Sequence, residues 1–166
     1  AGTSGPVEPH VVVSEVLANA VGAEPQAEWV ELVNDGTTAV DLAGWTLADA
    51  AAETPLPAVV LAPGAFALVV TDGYAPDPEL DVAPPADATL IRVAALGQSG
   101  LGNAGELLRL RSPDGLVRSR FPARAAPDPG VSVARRSPWL ADDVAGAFGP
   151  HAPPGASPGL PNEVAE

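Results

Sequence analysis

The residues best suited to chemistry in this chain are four arginines on one predicted hairpin. They are Arg109, Arg111, Arg118 and Arg120, half of the eight positive charges in a sequence without lysine. A loop of two or four residues would place Leu110 opposite Val117 and Arg109 opposite Arg118, with all four guanidinium groups on the face away from the core. This arrangement predicts a patch that binds an acidic partner, a phosphate-bearing polymer or an anionic glycan.

Two alternatives to this patch stay open. The arginines also suit a solvated sheet face, on which they balance nearby carboxylates and protect an exposed edge from pairing with other chains. A three-residue loop with a bulge would break the predicted register, and the patch with it.

A second set of residues is suited to a structural ion pair. Glu15 and Glu31 lie on the first two predicted strands, and Arg135 ends the last one. A guanidinium can bind a buried carboxylate through two parallel hydrogen bonds, which offsets the cost of burying the charge. We therefore predict that Arg135 pairs with Glu31 or Glu15.

The acidic segment 72–88 raises the question of calcium, because a hard cation takes six to eight oxygen ligands. Its carboxylates are Asp72, Asp77, Glu79, Asp81 and Asp87. Their spacing is unlike that of an EF-hand, and the prolines between them stiffen the segment. We predict a solvated acidic loop and no cofactor, and leave calcium binding open.

Nucleophilic catalysis has little support in the sequence. The chain has no cysteine and two histidines, and both histidines fall in segments that we expect to be loosely held. His10 lies in a predicted linker and His151 in a proline-rich tail, so neither is an anchored general base. We expect no enzyme activity and no catalytic residues.

The three tryptophans divide into two groups. Trp29 and Trp45 lie within strand patterns and are predicted to be core residues. Trp139 follows Ser137-Pro138 beyond the last predicted strand, and is the aromatic residue expected on the surface. Its role, packing or binding, is open at this stage.

Period-two alternation dominates the chain and predicts strands rather than helices. The clearest case is Trp29-Val-Glu-Leu-Val33, in which Val30 and Leu32 point to one side. Pro63-Gly64 suits a type II turn between two strands. The predicted strands cover residues 11–17, 28–34, 45–47, 59–70 as two strands, 89–95, 107–111, 116–121 and 131–135, with residues 39–42 leading into the strand at 45–47. Eight or nine short strands with regular turns predict an all-β, two-sheet sandwich.

Length and composition fit one domain with extended ends. The 166 residues carry a net charge of −13, which disfavours nucleic-acid binding except through the arginine patch. No apolar run reaches the length of a membrane span. We assign residues 1–10 to a linker, 11–146 to the sandwich and 147–166 to a Pro/Gly-rich tail. The abundance of Ala, Pro, Gly and Arg suggests a GC-rich bacterial genome.

Several pieces, taken in order, resemble the lamin tail domain family. They are Val11-Val-Val-Ser-Glu-Val-Leu17, Glu28-Trp-Val-Glu-Leu-Val-Asn34, Leu42-Ala-Gly-Trp-Thr-Leu47, Leu61-Ala-Pro-Gly64, Leu107-Leu-Arg-Leu110 with Pro113-Asp-Gly115, Pro129-Gly-Val-Ser-Val-Ala-Arg135 and Ser157-Pro-Gly-Leu-Pro-Asn162. The resemblance implies an immunoglobulin-like β-sandwich that docks other molecules without catalysis. It also implies, for bacterial members, an extracellular or envelope module.

These observations lead to two expectations about function. The first is a non-catalytic protein-docking or adhesion module of a larger exported bacterial protein, secreted or in the cell envelope. Its partner would be another protein or an envelope component, without membrane insertion. The alternative is a targeting module for anions, nucleic acid or glycans, attached to a secreted nuclease or other hydrolase and using the hairpin arginines.

Overall fold

Twelve short strands make up the regular structure of this chain. The computed structural model describes residues 9–166, and this part contains no helix. Within the same residues there is accordingly no helix long and apolar enough to cross a membrane. The strands are β1 (Val11–Leu17), β2 (Trp29–Asn34), β3 (Val40–Asp41), β4 (Thr46–Ala48), β5 (Glu53–Pro55), β6 (Val60–Leu61), β7 (Phe66–Thr71), β8 (Thr89–Val93), β9 (Leu108–Arg111), β10 (Val117–Phe121), β11 (Val133–Arg135) and β12 (Phe148–Pro150).

The strands form two main sheets and one small one. The larger sheet has the order β12-β11-β1-β2-β7-β8, the second has the order β10-β9-β4-β5, and β3 pairs with β6. All paired strands are antiparallel except β7 and β8, which are parallel. The predicted all-β, immunoglobulin-like sandwich is confirmed.

Alternation along β2 determines which side chains enter the space between the sheets. Val30 and Leu32 join Leu47 and Leu110 of the four-stranded sheet in the main core. Trp29 lies on the opposite, outer face of the six-stranded sheet. Trp29 and Trp45 are both buried, as the sequence predicts.

The outer face of the six-stranded sheet carries a second apolar cluster. It consists of Leu17, Ala20, Ala27, Trp29, Leu68, Val70, Tyr74 and Ala156. Tyr74 comes from the acidic loop 72–88 and Ala156 from the C-terminal tail, so both segments lie against the sheet. Within the acidic loop, Asp81 is buried and accepts hydrogen bonds from the backbone N–H groups of Val21 and Gly22 (2.9 and 2.7 Å). The sequence predicts a solvated acidic loop, but this carboxylate is buried and stabilises the loop.

The residues assigned to the C-terminal tail lie against the sandwich. Residues 147–166 were assigned to an extended tail, but Phe148–Pro150 form an edge strand of the larger sheet and the following residues pack on its outer face. Of the predicted linker 1–10, residues 1–8 lie outside the described residues, and His10 contacts Trp139.

Two strands, β5 and β12, were not predicted from the sequence. Both contain proline, which cannot donate a hydrogen bond to a neighbouring strand and argues against a central strand. Both lie at the edge of a sheet, where this loss is tolerated. The Pro63-Gly64 turn is confirmed, since Gly64 has a φ of 77° and the N–H of Ala65 donates to the carbonyl of Ala62 at 3.0 Å.

Candidate functional site

The arginine hairpin has a different register from the one predicted. Leu110 lies opposite Ser119 and Arg109 opposite Arg120, with an irregularity between Val117 and Ser119. The N–H of Ser112 donates to the carbonyl of Leu116 at 3.0 Å and closes a loop of three residues, which ends at Gly115 with a φ of 80°. Glycine in this conformation favours the three-residue loop. The prediction that Arg109 faces Arg118 is therefore wrong.

Three of the four arginines have internal partners in this register. Arg118 donates to Asp114 at 3.0 Å, and Arg111 lies 3.9 Å from Glu53. Arg109 Nη2 donates to the carbonyl oxygen of Asp49 at 3.4 Å. Arg120 is exposed, and within the described residues no carboxylate lies within salt-bridge distance of its guanidinium. The alternative of arginines balanced by nearby carboxylates describes two of the four, Arg111 and Arg118.

A groove beside the hairpin contains the surface tryptophan. Trp139 is 66% exposed, and its indole stacks on the His10 imidazole with 3.8 Å between ring centroids and 9° between planes. The groove has a volume of about 380 Å³. Its walls are formed by His10, Val12, Arg118, Arg120, Arg135, Pro138, Trp139, Leu140, Ala141, Asp142 and Asp143. Burial lowers the pKa of His10, which favours the neutral form of the stacked imidazole.

Arg135 anchors the floor of this groove. It is 1% exposed, and its Nη2 donates to Asp142 Oδ1 at 2.7 Å. Its other hydrogen bonds go to the carbonyls of Val13 and Leu140 and to Ser119 Oγ, and its guanidinium lies 4.5 Å from the centre of the Phe148 ring. The predicted partner, Glu31 or Glu15, is wrong: the carboxylate at Arg135 is Asp142. Asp142 follows Arg135 by only seven residues and returns to it through the Trp139 loop.

Asp142 also joins that loop to the hairpin. Its Oδ2 accepts the backbone N–H of Arg120 at 2.9 Å, an N–H on the free edge of β10. Both oxygens of Asp142 therefore have partners, one from the floor of the groove and one from its wall. The Trp139 loop is held at both sides.

The C-terminal segment 151–164, which we call the tail clasp, supplies donors to the two buried glutamates. Glu15 Oε1 accepts from Ser132 Oγ (2.5 Å) and from the N–H of Ser157 (2.9 Å), and its Oε2 accepts from Ser157 Oγ (2.8 Å). Glu31 Oε2 accepts from the N–H of Gly159 at 2.7 Å. These glutamates thus hold the tail clasp on the sheet instead of binding Arg135.

A β-bulge in β1 turns Glu15 to the outer face of the sheet, where alternation along β2 places Glu31. The register of β1 against β2 shifts between Val13 and Glu15, and Glu15 then lies directly opposite Glu31. Burial raises the pKa of Glu15, and it raises that of Glu31 to about 9 with a further contribution from the neighbouring charge of Glu15. Glu31 is therefore protonated at neutral pH.

His151 and Ser157 form a hydroxyl–imidazole contact within the tail clasp. His151 is buried, with Nε2 2.9 Å from Ser157 Oγ and Nδ1 2.6 Å from the carbonyl oxygen of Ala152. A carbonyl can only accept, so Nδ1 carries the hydrogen. The expectation that His151 is loosely held is wrong. Because Ser157 Oγ is also bonded to Glu15, the contact joins the tail to β1.

A comparison with protein families decides what kind of domain this is. The Lamin Tail Domain family model matches residues 5–121, more than half of the chain. The chain belongs to the lamin tail domain family. This family consists of non-catalytic immunoglobulin-like domains. No curated protein matches the chain.

The lamin tail match ends at the last residue of β10. Arg135, Trp139, Asp142 and the tail clasp lie beyond the matched residues. The sequence indicated part of this region: Trp139 was expected on the surface, and Ser157-Pro-Gly-Leu-Pro-Asn162 contributed to the resemblance. The roles of His10, Asp142 and Gly159 had no local signal, because each depends on a contact with a distant strand.

Proposed function

We propose that this lamin tail domain is a non-catalytic docking or adhesion module of a larger exported bacterial protein. We further propose that the Trp139 groove is its contact surface, and that the partner is a protein or another cell-envelope component. The observation that carries this proposal is a tryptophan 66% exposed yet fixed by a stacked imidazole. Tryptophan and arginine are the residues that most often dominate binding energy at interfaces, and Arg118 and Arg120 line the same groove.

The rigidity of the groove supports the same proposal. Arg135 and Asp142 fix the Trp139 loop from below and from the side. A surface already held in one conformation loses less conformational entropy when a partner binds. The composition supports a bacterial origin. The proposal of export rests on the resemblance to bacterial lamin tail domains, which implies an extracellular or envelope module.

Replacing Trp139 by alanine should reduce binding of the purified domain to an envelope fraction of the encoding bacterium at least tenfold, because the main apolar contact is lost. The measurement is a sedimentation assay with labelled protein. Val60→Ala is the matched control, since Val60 is also 66% exposed but lies on the small β3–β6 sheet. Equal binding by the Trp139 variant, with its melting temperature unchanged, would exclude the groove.

Anion targeting is the second candidate function, because Arg120 is the exposed arginine of the hairpin. Against this candidate stand a net charge of −13 and the internal partners of Arg109, Arg111 and Arg118. We expect the domain to pass unretained through heparin and duplex-DNA columns at low salt. Salt-dependent retention that disappears when Arg109 and Arg118 become serine would favour targeting over docking.

A further inference from the structure

We propose that the Trp139 groove binds a neutral glycan, with a pyranose ring stacked on the free face of the Trp139 indole. This inference rests on the proposed function, for which it names the ligand class. His10 covers one face of the indole, so the exposure of Trp139 comes from the other face and the ring edge. A flat, fixed aromatic face matches the axial C–H face of a pyranose.

The charges of the groove favour a neutral ligand. Arg135 is paired with Asp142, and Arg118 with Asp114. The two remaining charged side chains of the lining, Arg120 and Asp143, are exposed and of opposite sign. Burial lowers the pKa of His10 and so favours its neutral form, and the paired charges leave the groove with no excess charge to attract an anionic polymer. The acidic surface of the whole domain repels such a polymer further.

The same two side chains provide polar recognition beside the aromatic face. The guanidinium of Arg120 donates hydrogen bonds, and the carboxylate of Asp143 accepts them, so together they suit sugar hydroxyls. An apolar peptide segment would leave both groups without partners in a contact that excludes water, which costs binding energy. The groove is open, so it accommodates an internal ring of an extended chain.

Fluorescence titration of the intact domain with neutral hexasaccharides tests this inference. The probes are cellohexaose, chitohexaose and mannohexaose, with an oligogalacturonate of equal length as the charged comparison. Because Trp29 and Trp45 are buried, a ligand in the groove should change the emission of Trp139. We expect a saturable change with at least one neutral probe at millimolar or lower concentration. No change with any neutral probe, or tighter binding of the oligogalacturonate, would overturn the inference.

Substitutions identify the groove as the site. Trp139→Ala should weaken binding of that probe at least tenfold, measured by calorimetry because the reporter is removed. Trp139→Phe should retain most of the affinity, and Asp143→Asn should lower it several-fold. Val60→Ala should bind as the unchanged domain does. Unaltered affinity of the Trp139→Ala variant would overturn the inference.

The envelope assay separates this inference from the proposed function. Periodate cleaves the vicinal diols of glucan and mannan chains, and chitinase cuts 1,4-linked N-acetylglucosamine chains, which lack such diols. One of these two treatments of the envelope should abolish binding, whereas protease treatment should not. Binding that resists both treatments, is lost after protease and still depends on Trp139 would identify a protein partner. That result would overturn the glycan inference and leave the docking proposal standing. Envelope binding that does not depend on Trp139 would overturn both.

Discussion

Replacing Arg135 by methionine should lower the free energy of unfolding by about 3–5 kcal/mol, the usual cost of leaving a buried partner unpaired. Arg135 is 1% exposed and donates to Val13, Leu140, Ser119 and Asp142. Methionine fills a similar volume but satisfies none of these acceptors. For a domain of this size the change corresponds to a fall in melting temperature of roughly 10 °C. Thermal unfolding followed by circular dichroism measures it.

Two further variants show whether the loss arises from the buried network. Arg136→Met changes the adjacent arginine, which is exposed and bonds to the carbonyls of Gly146 and Ala165, and should cost far less. Adding Asp142→Asn to Arg135→Met removes the carboxylate charge that has lost its partner, and should recover part of the stability. Equal melting temperatures for the Arg135→Met and Arg136→Met variants would contradict the anchoring role.

Replacing Glu31 by glutamine should make the domain more stable at pH 8 and flatten its dependence on pH. The pKa of Glu31 is about 9 in the fold, against 4.5 when exposed in the unfolded chain. Between these values the unfolded chain releases a proton that the folded one keeps, so stability falls as pH rises from 4.5 to about 9. The slope from one such group is at most about 1.4 kcal/mol per pH unit. Glutamine resembles the protonated acid and does not titrate.

Melting temperatures measured from pH 5 to pH 9 test this expectation. Glu15, and Glu28 with a pKa raised to about 7 by burial, change stability in the same direction, so the variant should be flatter than the unchanged domain without being flat. Glu79→Gln, an exposed position on the acidic loop, is the matched control and should leave the slope as it is. The same slope in the Glu31→Gln variant would falsify the role of the buried carboxylate.

The sandwich could be predicted because its signals are local. Alternation in β2 and the Pro63-Gly64 turn can each be recognised within a few residues, and their order along the chain resembled one family. The register of the hairpin could not be predicted in this way. The sequence is compatible with loops of several lengths, and each length places the arginines differently. Gly115, at a position that favours positive φ, was the clue to the three-residue loop.

The partners of the buried charged groups could not be predicted from the neighbouring sequence. Ser157 and Gly159 reach Glu15 and Glu31 across 142 and 128 residues of sequence. A segment rich in proline and glycine predicts a loop, but not where its N–H groups donate. Arg135 was expected to need an acid, which was correct, yet the acid came from its own following loop. The requirement of a buried charge for a partner was predictable, whereas the identity of that partner was not.

The position of β1 between β2 and β11 has a consequence for biogenesis. As the chain leaves the ribosome, at about 5–20 residues per second, β1 can pair early with β2 but must wait for β11. Glu15 and Glu31 obtain their donors from Ser157 and Gly159 later still. The outer surface of the sheet is therefore complete only after nearly all of residues 9–166 have been synthesised. Until then it presents strands with unsatisfied hydrogen-bonding groups to solvent or to chaperones.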